Sequence, residues 1–137
     1  MKKVSKEIIG ICIAIIFLSS VFIAFAGSQP AIKSEYNIAF IVKAHGVPWY
    51  IALESAVVDE FKKIAEENKV AINVTTQQCN YSGELLAQYM RTARMMKVDA
   101  MIIMAPDAFS GIPEVIEANK ANIPIFTVME KILGGDI

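Results

Sequence analysis

Lys43, His45, Trp49 and Tyr50 bring a cation, an imidazole and two aromatic rings into one short stretch, KAHGVPWY. A charged donor beside aromatic faces suits recognition of a small polar molecule. The stretch lies between two hydrophobic runs of different period. Ile38, Ala39, Phe40, Ile41 and Val42 form a short apolar, β-branched run, the pattern of a strand buried on both faces. Pro48 supplies a backbone torsion suited to the first turn of a helix, and a helical pattern follows it. In parallel α/β proteins ligands bind in the crevice beyond such strand ends, so this loop is the first candidate site.

The same alternation continues along the chain. Leu53, Val57, Phe61 and Ile64 recur at helical spacing, with Glu54, Asp59, Lys62, Lys63, Glu66 and Glu67 on other faces, and Asn68 and Lys69 end the helix. Val70 to Thr75 reads as a second strand that gives way to the polar Gln77, Gln78, Cys79 and Asn80. Ser82 is a suitable N-cap for a second helix through about Met96, with Leu86, Tyr89, Met90, Ala93 and Met96 as its apolar line. A third strand is expected over Ala100 to Met104, a third helix over Pro113 to Ala121, and a fourth strand over Ile123 to Val128. Such alternation predicts a Rossmann-like parallel sheet with helices on both faces. Its four strand ends, Lys43–Tyr50, Gln77–Asn80, Ala105–Asp107 and Met129–Glu130, would then point the same way.

The N-terminus fixes an expected location. Lys2, Lys3 and Lys6 precede an uncharged apolar tract from Ile8 to Ala26, which ends in Ala24-Phe25-Ala26 and is followed by the loop-like Gly27, Ser28, Gln29 and Pro30. This is the pattern of a secretory signal peptide cleaved after Ala26, with residues 27–35 as a linker and residues 36–137 as the domain. The rival reading is an uncleaved anchor, since the tract is long enough to span a bilayer. Both place the domain in the periplasm or cell envelope, touching membrane only through this segment.

Setting aside Lys2, Lys3, Lys6 and Glu7 leaves ten basic and thirteen acidic residues. That mildly acidic balance provides no footprint for nucleic acid. Cys12 falls in the apolar tract, so Cys79 stands alone in the exported part and no internal disulfide can form. A buried or loop cysteine is the simplest reading of Cys79. His45 is the one histidine of the chain and is 34 residues from Cys79, so it builds no metal site. No Gly-x-Gly-x-x-Gly follows the first strand, and neither a phosphate loop nor a Gly-x-Ser-x-Gly elbow occurs. Neither cofactor binding nor catalysis is therefore expected.

The strand, the loop ending in Pro48-Trp49-Tyr50, the long helix, and the strands ending at Pro106-Asp107 and containing Ile123-Pro124-Ile125 resemble the N-terminal part of periplasmic sugar-binding proteins of the ribose- and galactose-binding type. The resemblance covers about Tyr36 to Glu130. It implies a two-lobed clamp of which this chain holds an incomplete first lobe, a carbohydrate or polyol as ligand, and an ABC permease or chemoreceptor as partner. It also implies ligand-facing roles for Lys43, His45, Trp49, Tyr50, Asp107, Met129 and Glu130. Asp107 has a plainer reading as a helix cap, and Trp49 and Tyr50 as packing residues. Where that family has an asparagine before the proline, this chain has Val47. Where it has an Asp-Arg pair, this chain has Met129-Glu130, which implies a less hydroxylated or partly cationic ligand. The alternatives are a sensing ectodomain of a membrane receptor and an exported enzyme on a flavodoxin-like fold.

Overall fold

The computed structural model describes residues 33–137. The expected signal segment, its cleavage point and Cys12 lie outside the described residues. Within them, short β-prone runs alternate with helices as β1 (Glu35–Val42), α1 (Pro48–Asn68), β2 (Ala71–Gln78), α2 (Gly83–Met95), β3 (Ala100–Ile103), α3 (Ile112–Lys120) and β4 (Ile125–Thr127). The helix ends follow local chemistry. Pro48 opens α1, Lys69 closes it in a left-handed conformation, and the Ser82 hydroxyl accepts from the Leu85 N–H at the start of α2.

The strand boundaries shift from the expected ones, with β3 ending at Ile103 and β4 confined to Ile125–Thr127, and the largest extensions fall in β1 and β2. β1 begins at Glu35, and β2 continues through Gln77 and Gln78, which pair with Ile41 and Val42. β2 is an edge strand, so polar side chains on it meet water and do not interrupt the ladder.

All pairings are parallel, in the order β2-β1-β3-β4, with Glu35 opposite Ala71, Ile38 opposite Ala100 and Met101 opposite Ile125. The chain moves one way from β1 to β2 and the other way from β2 to β3 and β4. Crossovers of one hand then place α1 on one face and α2 and α3 on the other. The packing follows that division. Ala39, Ile41, Met101, Ile103 and Ile125 point toward Leu86, Met90 and Ala93 of α2 and Val115 and Ala118 of α3, while Phe40, Val42 and Met104 lie with Tyr50 on the α1 face.

Coverage of the two faces is unequal. The expected apolar stripe of α1 is only partly buried, with Leu53, Val57 and Phe61 half-exposed, and Tyr50 is the one buried residue of that helix. A single described helix crosses this face, so an apolar groove remains between α1 and the β3–β4 side of the sheet, lined by Val57, Phe61, Ile64, Ile102, Phe126 and Val128. On the opposite face the chain after β4 folds back. Ile132 is fully buried in the core there, and Asn119 holds the backbone of Asp136 through two hydrogen bonds.

Candidate functional site

Reversal of chain direction between β1 and β3 creates the crevice where open α/β sheets bind their ligands. Backbone hydrogen bonds tie the loops around it together. The Cys79 N–H donates to Val42 O, Tyr81 N–H to Lys43 O, Met104 N–H to Ile41 O and Val128 N–H to Ile103 O. All four strand ends thus share one rim.

Lys43 leaves the end of β1 with a largely buried side chain. Its Nζ lies 3.9 Å from Glu130 Oε1, and the Glu130 side chain is about half exposed. At that separation the charges attract without a shared hydrogen bond, so ammonium donors and carboxylate acceptors stay open to a third group. The Lys43 Nζ also lies 5.9 Å from the centroid of the Tyr81 ring, within cation–π range.

The two neighbouring aromatics of α1 part company. Trp49 is 54% exposed at the rim, whereas Tyr50 is 9% exposed and packs with Phe40, Val42, Ala44 and Met104. Successive helical side chains point about 100° apart, so the two rings leave the helix in different directions. The packing of the Tyr50 ring fits the plainer reading of it as a packing residue. A hydrogen bond to the Tyr50 side chain, followed by desolvation, raises the Tyr81 phenol above its ordinary pKa.

Two other candidates are already engaged. His45 is exposed, but its Nδ1 is 2.6 Å from Gln78 Nε2, and it lines a shallow groove with Ile51, Glu54 and Ser55 of α1. Asp107 accepts from the N–H groups of Phe109 and Ser110 with one oxygen and from the Ser110 hydroxyl with the other. These bonds, the Ser110 hydroxyl foremost, hold its carboxyl below the usual carboxylate range. Asp107 thus fixes the turn before α3. It does not cap the helix itself, whose N-cap is Gly111 at φ +81°.

Met129 is exposed beside Glu130 at φ +75°, and Cys79 is buried with its Sγ 3.6 Å from Lys43 O. Burial pushes the Cys79 thiol pKa up, which suits an inert packing group. Tyr81 was not among the residues expected from sequence. The second strand-end loop had been bounded at Asn80, and the available signal was an aromatic residue just before the Ser82 cap. Asn80 and Tyr81 both have positive φ, at 48° and 59°, a conformation that Asn tolerates but that is costly for Tyr and clusters at binding sites.

No protein-family model and no curated protein matches the chain. Solved structures do. An ABC transporter periplasmic solute-binding protein from Actinobacillus succinogenes 130z, with bound D-allose, is 26% identical and superposes with a TM-score of 0.54 over 66% of this chain and 30% of that one. The periplasmic binding protein of the arabinose ABC transporter from Shewanella sp. ANA-3, bound to L-arabinofuranose, is 23% identical with a TM-score of 0.60 over 73% and 31%. A solute-binding protein from Mycobacterium smegmatis, with bound glycerol, is 19% identical with a TM-score of 0.61 over 74% and 33%. The chain spans about a third of the length of each of these proteins. Its parallel sheet, flanking helices and shared rim of strand ends are the fold of one part of an ABC transporter solute-binding protein.

Proposed function

We propose that this chain captures a carbohydrate or polyol outside the cytoplasm as part of the substrate-binding component of an ABC-type importer, without catalysing a reaction on it. The observation that carries the reading is the open Lys43–Glu130 pair at the switch point, with the exposed ring of Tyr81 beside the ammonium and that of Trp49 exposed in the first turn of α1. Sugar hydroxyls both donate and accept hydrogen bonds, so one hydroxyl can accept from the ammonium while its neighbour donates to the carboxylate. The apolar face of a sugar ring matches an aromatic side chain. Solved relatives in fold carry D-allose, L-arabinofuranose and glycerol in their own sites.

Titration of the full chain with D-allose, L-arabinose, myo-inositol and glycerol, followed by two-dimensional NMR, tests the reading. Saturable shifts at Lys43, Trp49 and Glu130 are expected for at least one compound. Shifts confined to other surfaces, or none at all, would dismiss it. Export belongs to the same proposal and is read from the mass of the mature protein, which should correspond to cleavage after Ala26. An intact N-terminus on the exported protein would favour a membrane-anchored sensing domain instead.

A further inference from the structure

Beyond each of the four strand ends lies a large apolar side chain that is more than half exposed: Trp49 in the first turn of α1 after β1, Tyr81 after β2, Phe109 after β3 and Met129 after β4. An apolar rim of this kind on one edge of a small protein marks a contact surface. The polar groups beside it are few. Asp107 has both carboxylate oxygens bonded within its own turn, and His45 and Gln78 hold each other, so of the candidate polar side chains Lys43 and Glu130 remain open.

Resting on the carbohydrate reading above, we infer that this rim selects a sugar bearing an apolar substituent, a deoxy methyl or an aryl aglycone, which packs against Tyr81 and Trp49 while Lys43 and Glu130 hold one diol. A fully hydroxylated hexose offers the rings only its C–H face and so buries less apolar surface than a deoxy or aryl sugar, which lowers its affinity relative to theirs. Tyr81 is the specificity-determining residue in this arrangement. Its ring lies beside the Lys43 ammonium, and its backbone is held in the left-handed region by the bond from its N–H to Lys43 O. A ring held in this way is already ordered before ligand arrives, which reduces the entropy lost on binding.

The test compares matched pairs on the full chain, phenyl β-D-glucoside against D-glucose and L-rhamnose against L-mannose, by calorimetry and NMR titration. The apolar member of each pair should bind about tenfold more tightly, the discrimination that one hydrophobic contact provides. Tyr81→Asn, which tolerates the left-handed backbone, should bring the ratio near one, and Tyr81→Phe should preserve it. If Tyr81→Asn lowers the melting temperature strongly, Trp49→Ala makes the same comparison at the other ring of the proposed pair. Equal or tighter binding of the hydroxylated member by the native chain overturns the inference and leaves the carbohydrate reading standing. No binding by any of the four overturns the inference, and the carbohydrate reading then stands or falls on the titration with D-allose, L-arabinose, myo-inositol and glycerol. Loss of self-association in Tyr81→Asn, with sugar preference unchanged, would assign the ring to a protein contact and also overturn it.

Discussion

Lys43 combines a mostly buried stem with a head group that its neighbours leave available. Its partner Glu130 is about half exposed, so replacing the charge leaves that carboxylate in water. At 3.9 Å, and with Glu130 open to water, Lys43→Met should therefore change folding stability by less than about 1 kcal/mol. Loss of a charged hydrogen bond to ligand weakens binding roughly tenfold or more. Thermal melting and sugar titration of the same variant separate the effects; a large fall in melting temperature would mean that the pair serves the fold. Sequence made Lys43 and Trp49 legible because they follow a buried strand and a proline. The core role of Tyr50 depends on helix phase, which one residue of uncertainty in the helix start reverses. The exposure of Tyr81 depends on two successive left-handed residues, neither of them glycine, which no composition rule anticipates.

At the level of elements, β3 is joined to β1 by a side chain as well as by the ladder. Just before β3, Asp99 accepts from the Asn37 N–H through Oδ2 and from Lys33 through Oδ1, while its own N–H donates to Asn37 O. Lys33 first, then the Asn37 N–H, lower the Asp99 pKa below its ordinary value. A carboxylate whose pKa is lower folded than unfolded stabilises the fold above the unfolded pKa, near 4, and that contribution disappears as pH falls through the folded value. Asp99→Asn should thus lower the melting temperature near neutrality and flatten its decline as pH falls below about 4. Parallel melting curves for the two proteins across that range would remove Asp99 as a source of acid sensitivity. Helix termini were readable because Pro48 and Ser82 act locally. The full length of β2 was not, since polar Gln77 and Gln78 look like a loop until the strand is known to lie at an edge.

For the whole molecule, the unequal faces of the sheet predict unequal sensitivity. Met101 is fully buried between the sheet and the α2–α3 layer, while Phe126 on the other face is 58% exposed. Met101→Ala should cost about 2 to 5 kcal/mol in urea unfolding, whereas Phe126→Ser should cost under about 1 kcal/mol. Similar losses at the two positions would mean that the α1 face is covered in solution. Periodicity showed that α1 has an apolar stripe, but the number of helices sharing its face follows from strand order, which the stripe does not encode. Strand order also has a kinetic consequence. β1 is the hub of the sheet, meeting β2 across 36 residues at Asn37 and Asn73 and β3 across 62 residues at Asn37 and Asp99. Closing the longer loop costs about 0.5 kcal/mol more, so the β1–α1–β2 unit has the smaller entropic barrier and a start as folding nucleus. Val74→Ala in β2 should slow refolding, while Ile125→Val in β4 should mainly hasten unfolding. The reverse pattern in stopped-flow kinetics would move the nucleus to the β3–α3–β4 side, and the strands that follow β2 in synthesis would then govern how quickly this sheet escapes aggregation.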